Sequence, residues 1–483
     1  MGRRAGRARR ARRTGLWSLA AVAAAAVALA APATAGHAAV SGTGQARAGR
    51  AAGPVSAQPA PGTPHFPVST PAVEQVRQLA QCGGVMYAVG SFTVVQQGSK
   101  TYTRDNAFSF DATAPFAMTA WDPDVDGAVN TIAFQPGQCA DAYLGGKFSR
   151  VGTARATDLA EVSTTGTGAL VGAFGHTADG QVETLAVYAG HVLAGGYFTS
   201  VNGSSADPYF ASLNPATGKD DGFAALAISG HYAFPGAAQN ATRVYNQQIS
   251  HGGTLDLVEG DFTSAGGLPR RQIFMLDLAS RPRATVTGWT SPLFDGSKGY
   301  PPGGDYYDCS TKEPFYIQAA AWSPDDAAVY LADTGYRPWN DKKRLPARGL
   351  CDAAVAFTAR SSHPKLKWVN YTGCDSLYSV AADSSAAYFG GHERWSQNPD
   401  GCDKRGPGGI AAPGMEGLDP ATGALLRNSS GAALYGRGRG LGADDMLLTA
   451  AGLWIASDNF DGTQTCGGVS GLAGLCFLPY PQV

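Results

Sequence analysis

The sequence predicts an all-β fold, a β-propeller of about seven four-stranded blades whose ring is closed by an N-terminal strand. A strand-like run that ends in Gly-x-Phe or a related sequence occurs seven times along the chain. The runs are short, rich in Val, Tyr, Phe and Thr, and bounded by Gly, Asp, Asn and Pro, which is typical of antiparallel hairpins. No amphipathic helical run separates them, and a β-sandwich would not require a unit that repeats every ~55 residues.

The Gly-x-Phe element is the first of three repeated elements, and its copies become weaker towards the C-terminus. The copies span residues 87–92, 143–148, 193–198, 257–262, 330–336, 388–392 and 454–460. Glycine pairs within such a strand indicate close backbone approach, which a propeller has near its central channel.

The other two elements occur before and after it. An Asp-Gly turn with an apolar strand precedes it, and residues 126–133 match residues 179–186 almost position by position. A strand that closes on Pro-Ala-Thr-Gly follows it, at residues 213–218 and 418–423. Three elements in a fixed order indicate one supersecondary unit that is copied many times.

This order of motifs resembles the delta-60 repeat propellers of secreted actinobacterial proteins. The resemblance is good from Val76 to Asp221, fair to Leu278 and degenerate beyond, where blades five and six lose the Phe and carry insertions. It implies a propeller fold and export, and it brings no catalytic residues to this chain.

The N-terminus predicts export. Residues 1–35 have the form of a signal peptide, with seven arginines and no acid before an apolar run from Leu16 to Ala31. The general secretory route is favoured over the twin-arginine route, because the residues that flank Arg12-Arg13 match a twin-arginine signal poorly. No second apolar run is long enough to span a membrane, so we expect a secreted, extracellular protein with no membrane insertion after signal removal.

Composition then divides the rest of the chain. Residues 36–62 are rich in Ala, Gly and Pro and predict a flexible linker, so the propeller domain is expected over residues 63–483. The missing outer strand of the last blade is expected from residues 63–70, beside Phe477.

The net charge limits the class of partner, and the cysteines predict disulfides. Without residues 1–35, 30 basic residues face 38 acidic ones, which argues against a nucleic-acid ligand. An even number of cysteines in an exported chain indicates disulfides. Position on one face favours the pairs Cys309–Cys351 and Cys374–Cys402, and proximity in sequence favours Cys466–Cys476, which leaves Cys82 and Cys139 on the opposite face; the sequence alone does not fix this connectivity.

One motif resembles a calcium loop. Asp122, Asp124 and Asp126 have its alternating spacing, but Ala133 stands where the loop would end in Glu. Because Asp126-Gly127 also recurs as Asp179-Gly180, the motif favours an ordinary blade turn. We therefore expect no cofactor, with Ca²⁺ as the alternative.

The insertions of blades five and six supply the candidate ligand contacts. Aromatic and charged side chains follow the Gly-x-Phe element in both, and we expect Tyr336, Trp339, Glu393 and Trp395 to contact a ligand. The alternative is that these aromatic residues only pack the disulfide-linked loops.

These features favour an extracellular binding or scaffold module, a monomer with a glycan or a surface protein as its partner. No Gly-x-Ser-x-Gly or His-Glu-x-x-His motif is present, so no catalytic residues are assigned and enzyme activity stays open. The alternative is a polysaccharide-active hydrolase or lyase that uses carboxylates on the face of blades four to six.

Overall fold

The described part of the chain consists of β-strands, turns and one 3₁₀ helix, Pro292–Asp295. The computed structural model describes residues 53–67, 73–231, 241–295, 309, 315–336, 339–340, 343–344, 349–402, 404–436, 442–460, 465–466 and 469–481. Among these residues no helix is long and apolar enough to cross a membrane.

Seven antiparallel sheets of three or four strands follow one another along the chain and are numbered 1 to 7 in that order. Their first strands are Gln75–Cys82, Ala128–Ala133, Val182–Tyr188, Arg243–Ile249, Tyr316–Trp322, Leu377–Ala382 and Ala443–Thr449. Their second strands are Val85–Ser91, Asp141–Lys147, His191–Gly196, Leu255–Asp261, Ala328–Thr334, Ala387–Gly391 and Gly452–Ser457. Their third strands are Ala107–Asp111, Leu159–Ser163, Phe210–Leu213, Ile273–Asp277, Ala353–Thr358, Met415–Leu418 and Leu475–Pro479. Sheets 4 and 5 add fourth strands, Thr285–Val286 and Leu366–Tyr371.

Short hairpins project from the connections between second and third strands in six of the sheets. They pair Val94–Gln97 with Lys100–Thr103, Arg150–Val151 with Ala154–Arg155, Ser264–Ala265 with Leu268–Pro269, Trp339–Asn340 with Lys343–Arg344, Trp395–Ser396 with Ile410–Ala411, and Thr465–Cys466 with Val469–Ser470.

The first strands are arranged around a common axis. Each contacts the first strand of the next sheet, and the first strand of sheet 7 contacts that of sheet 1. The same side-chain position joins neighbouring strands in three places. The Leu79 N–H donates to Asp445 Oδ2 at 2.8 Å, the Ile132 N–H to Gln78 Oε1 at 2.6 Å, and the Leu185 N–H to Thr131 Oγ1 at 3.0 Å. The fold is therefore a β-propeller, as the repeat predicts.

The hydrophobic core lies between adjacent sheets. At the contact of sheets 7 and 1, Trp454 stacks on Phe477 with ring centroids 4.5 Å apart and meets Phe110 at 5.3 Å. Phe66, which precedes sheet 1, is buried in the same cluster. The first and last sheets thus share one core.

The N-terminal segment pairs with the last sheet, but with other residues than expected. The Ser56 N–H donates to the Pro479 carbonyl at 2.7 Å and the Ala60 N–H to the Phe477 carbonyl at 2.9 Å. Val55 is buried as well. The ordered domain therefore includes residues that composition assigns to the 36–62 linker, whereas positions 68–70 of the expected strand lie outside the described residues.

The recurring motifs have local structural reasons. Asp126 accepts hydrogen bonds from the Ser149 N–H at 2.7 Å and the Arg150 N–H at 2.9 Å, and Asp179 does the same in the next sheet. A Cβ added to Gly146 would lie 2.2 Å from the Ala128 carbonyl oxygen. The Asp-Gly turn and the glycine pair are therefore packing requirements of each sheet.

All eight cysteines form disulfides in the predicted combinations. The pairs are Cys82–Cys139, Cys309–Cys351, Cys374–Cys402 and Cys466–Cys476. The first of these covalently links sheets 1 and 2.

Candidate functional site

The first strands carry one β-bulge each, always at the same point of the repeat. The pairing with the second strand skips one residue in every sheet, and a bulge of this kind redirects a side chain. The skipped residues are Arg77, Asn130, Glu183, Tyr245, Gln318, Tyr378 and Asp444. All seven line one central cavity of about 170 Å³, which we call the channel.

The wall formed by sheets 1 to 3 is a polar network. Arg77 Nη1 donates to Asn130 Oδ1 at 2.5 Å, and Asn130 Nδ2 donates to Glu183 Oε2 at 3.1 Å. Burial raises the pKa of Glu183 above its usual value, and Arg243 and Arg77 partly oppose this rise. The carboxylate of Glu183 thus accepts a hydrogen bond from Asn130 and is within electrostatic range of both guanidinium groups.

Aromatic rings hold the second of these guanidinium groups in place. The guanidinium carbon of Arg243 lies 5.1 Å from the ring centroid of Tyr197 and 5.0 Å from that of Tyr245. Arg243 Nη1 also donates to the Tyr197 hydroxyl. Cation–π contacts and a hydrogen bond therefore fix the orientation of the guanidinium plane.

The channel widens at one end into a cavity of about 460 Å³, which we call the mouth. Its lining residues are Arg243, Tyr245, Tyr316, Gln318, Tyr378 and Asp444. Arg243 and Tyr316 are the first residues of their strands, so the mouth lies where the chain enters the first strands. Because second strands run antiparallel and end on that side, the inserted loops of sheets 5 and 6 project from the same face.

Comparisons with known proteins leave the function open. No protein-family model matches the chain, and no sequence of a characterised protein matches it. Among solved structures, it is similar to the computationally designed Ika8 protein, with 10% identity over 84% of this chain and 96% of that one and a TM-score of 0.40. It is also similar to Saccharomyces cerevisiae Sqt1, with 8% identity, coverage of 85% and 96% and a TM-score of 0.43. The WD40 β-propeller domain of Doa1 has 9% identity, coverage of 88% and 96% and a TM-score of 0.36. At these values the fold assignment depends on the sheets themselves.

Buried acids surround the far side of the mouth. The hydroxyl of Tyr378 lies 3.1 Å from His392 Nδ1. Burial raises the pKa of Tyr378 to about 12, and Asp444, Asp352 and Glu393 add to this rise. The loops of sheets 5 and 6 thus place carboxyl groups beneath the rim of the mouth.

Among the described side chains, Tyr336, Glu393 and Trp395 do not line the channel or the mouth. Tyr336 and Trp395 are partly buried, and Trp339 begins a short strand opposite Arg344, with its side chain outside the described residues. Glu393 has 0% exposure, and neither of its carboxylate oxygens has a hydrogen-bond partner. Glu393 is therefore not the surface contact that the sequence suggests, because the loop folds over its side chain beside Glu416.

The acidic motif of the second sheet is occupied by structural contacts. Asp122 pairs with Arg104 at 3.4 Å, and Asp126 accepts the backbone hydrogen bonds of the blade turn. Within the part of the chain that the structure describes, no group of three or more His, Cys, Asp or Glu side chains could hold a metal ion.

Sequence reasoning missed the seven channel residues. In the motif Asp-Gly-x-Val-x-x-Ile, the residue after Val is the bulged one, as Asn130 and Glu183 show. An alignment of all seven copies on this apolar residue would have shown a position that is polar in every blade. That pattern was the available signal.

Proposed function

We propose that this chain is an extracellular binding module that holds a polar ligand, a glycan or a glycan-bearing surface partner, at the mouth of its channel. The observation that carries the proposal is the set of bulges, which directs seven polar side chains from seven sheets towards one cavity. A cavity that is shared by every repeat and lined by convergent polar groups is the kind of site that binds small ligands.

The composition of the mouth suits a sugar. Tyr245, Tyr316 and Tyr378 offer aromatic surface together with hydroxyl groups, and Gln318 and Asp444 add further hydrogen-bonding groups. The loops with Tyr336 and Trp395 project from the same face and can extend the contact to a longer ligand. The mouth is thus the primary site and the loops are its border.

Substitution of the mouth tests this site. A glycan array should identify a ligand, and Tyr316→Ala together with Gln318→Ala should reduce its affinity at least about tenfold, because hydrogen bonds and ring contacts are lost. Trp395→Ala is the matched control and should change affinity by less than about threefold. The opposite result, with Trp395→Ala abolishing binding and the mouth variants retaining it, would return the site to the loops.

The alternative of a polysaccharide-active enzyme now depends on Glu183, Asp444 and Asp445, the acidic residues that line the channel. Glu393 is buried, and Asp305 lies outside the described residues. An oligosaccharide that binds should be recovered intact from the wild-type protein. New reducing ends that disappear in Glu183→Gln would establish an enzyme instead.

Closure and export belong to the same proposal. We infer that the propeller has seven blades and that residues 55–60 form the outer element of the last blade. We also infer that the protein is a secreted monomer, because its four disulfides suit an oxidising compartment. A chain that starts at Pro71 should melt roughly 5 °C or more below one that starts at Gly53, because it loses the burial of Val55 and Phe66. Equal melting temperatures would show that this segment does not close the ring.

A further inference from the structure

The guanidinium of Arg243 lines the mouth, and no structural role described above explains its charge there. Within the described part of the chain, no carboxylate lies within ion-pairing distance of it, and its Nε is buried without a hydrogen-bond partner. Glu183 acts on this partly buried guanidinium from beyond ion-pairing distance, so its charge is only partly compensated, and a bound anion would compensate it further. The two tyrosine rings fix the guanidinium before any ligand arrives, so little ordering is needed at binding.

The charges of the channel divide around its circumference. Sheets 1 to 4 contribute the charged residues Arg77, Glu183 and Arg243, whereas sheets 5 to 7 contribute Gln318, Tyr378, Asp444 and Asp445 at the equivalent positions or beside them. One side therefore carries a net positive charge and the other two acids with neutral hydrogen-bonding groups. A ligand that matches both sides has one anionic group and several hydroxyls.

The acids of the wall limit how much negative charge the ligand can carry. Glu183 and Asp444 would repel a doubly charged phosphate more strongly than a singly charged carboxylate. A carboxylate also matches the planar fork of a guanidinium. We propose that the channel mouth recognises an acidic saccharide of the uronic acid class, with the sugar carboxylate on Arg243 and the hydroxyls towards Tyr316, Gln318 and Tyr378.

This inference rests on the proposed binding function and is tested with a probe pair that separates the two. Methyl galacturonoside, which carries one carboxylate, and its methyl ester have the same ring and hydroxyls but differ in charge. Calorimetric titration of the wild-type protein should show at least about tenfold preference for the acid, and added salt should weaken the binding of the acid but not of the ester.

Variants locate the preference. Arg243→Gln should bind acid and ester equally, and Arg243→Lys, which keeps the charge but not the fork, should retain part of the preference. Arg281→Gln is the matched control, since Arg281 also lies over an aromatic ring, that of Phe223 at 5.8 Å, and is bonded to the carbonyls of Leu278 and Ser280 at the edge of sheet 4. It should behave as wild type, and thermal melting of each variant confirms that it is folded.

The outcomes are distinct. Equal binding of acid and ester by the wild type, or a preference that survives Arg243→Gln, would overturn the inference and leave the binding function in place. If neither probe binds at millimolar concentration while a neutral glycan binds at the mouth, the acidic ligand class is wrong. If no glycan of either kind binds, the proposed function fails with it.

Discussion

Sheets 2 and 3 differ from sheets 4 and 5 at one pair of positions near the end of the second strand. Sheet 2 has Gly145-Gly146 there, whereas sheet 4 has Glu259-Gly260 and sheet 5 has Ala332-Asp333. Glu259 and Asp333 have 0% exposure, and their carboxylate oxygens have no hydrogen-bond partner. The same place in the repeat is thus filled by close packing in sheets 2 and 3, the regular sheets, and by a buried acid in sheets 4 and 5, the irregular sheets, whereas sheet 6 has the glycine pair Gly390-Gly391.

The difference shows two ways of building the same unit. In sheet 2 a Cβ at Gly145 would lie 2.5 Å from Val182 Cγ1 in the next sheet, so the absence of a side chain permits the contact. In sheets 4 and 5 the acids are accommodated, and burial raises the pKa of Glu259 and Asp333 well above the usual range. A neutral carboxyl is far less costly to bury than a charged one, so we expect the irregular sheets to respond to pH.

The largest expected effect on stability comes from introducing an acid at the glycine pair of sheet 2. Gly146→Asp gives sheet 2 the residue of sheet 5, but its Cβ would lie 2.2 Å from the Ala128 carbonyl oxygen. Overpacking and a buried carboxyl together should lower the free energy of unfolding by about 3 kcal/mol or more. Urea unfolding measures this loss.

Gly172→Asp is the matched control, because Gly172 is exposed and has no atom within 4 Å of an added Cβ. It should change the free energy of unfolding by no more than about 0.5 kcal/mol. Similar losses of stability in the two variants would mean that the glycine pair is not a packing requirement. Sheets 2 and 3 would then not differ from sheets 4 and 5 in how closely this position is packed.

How far the sequence could predict the molecule follows from the same contrast. The Asp-Gly turn and the glycine pair have local causes, namely the carboxylate contacts of Asp126 and the close approach at Gly146, so each copy shows them and the propeller could be predicted. A bulge depends on how two strands pair, and a single strand such as residues 128–133 does not reveal that Asn130 is the skipped residue.

The sequence also did not reveal which residues of the loops and of the N-terminal segment are buried. Glu393 stands in a charged, polar stretch typical of a surface loop, yet it is enclosed beside Glu416 because the long connection folds back over it. Among the described residues 53–62, which include few large apolar side chains, only Val55 is buried. Such burial arises from tertiary contacts that composition cannot report.

The next effect is a pH dependence from a buried acid of sheet 6. Burial raises the pKa of Glu416 to about 8, whereas an unfolded Glu titrates near 4.3. Between these values the folded state binds the proton and the unfolded state does not, so the free energy of unfolding should fall as the pH rises from about 4.3 to about 8. Glu416→Gln keeps the shape and cannot ionise, so its stability should fall less steeply and exceed that of the wild type at pH 8.5.

Urea unfolding at pH 5, 7 and 8.5 measures the two slopes. Gln is the conservative replacement, because it keeps the length and planar end of the side chain, and neither carboxyl oxygen of Glu416 has a hydrogen-bond partner to lose. Parallel curves for wild type and variant would show that Glu416 does not remain protonated in the folded protein.

The smallest expected effect comes from Asp179, in the turn before sheet 3. The pH dependence of its stabilising contribution has the opposite sign to that of Glu416. Asp179 accepts hydrogen bonds from the Thr199 N–H at 2.7 Å, from Thr199 Oγ1 at 2.7 Å and from the Ser200 N–H at 2.8 Å. These bonds outweigh desolvation and hold its pKa below the usual value. Its stabilising contribution is therefore present above about pH 3.9 and is lost as the pH falls through the lower folded value. Asp179→Asn should cost no more than about 1 kcal/mol at pH 7, because an exposed carboxylate gains little from each bond, and the cost should shrink at pH 3. A cost that stays the same at pH 3 would mean that the turn is held by its backbone geometry and not by the charge of Asp179, and the regular and irregular sheets would then differ only in the acids that sheets 4 and 5 bury.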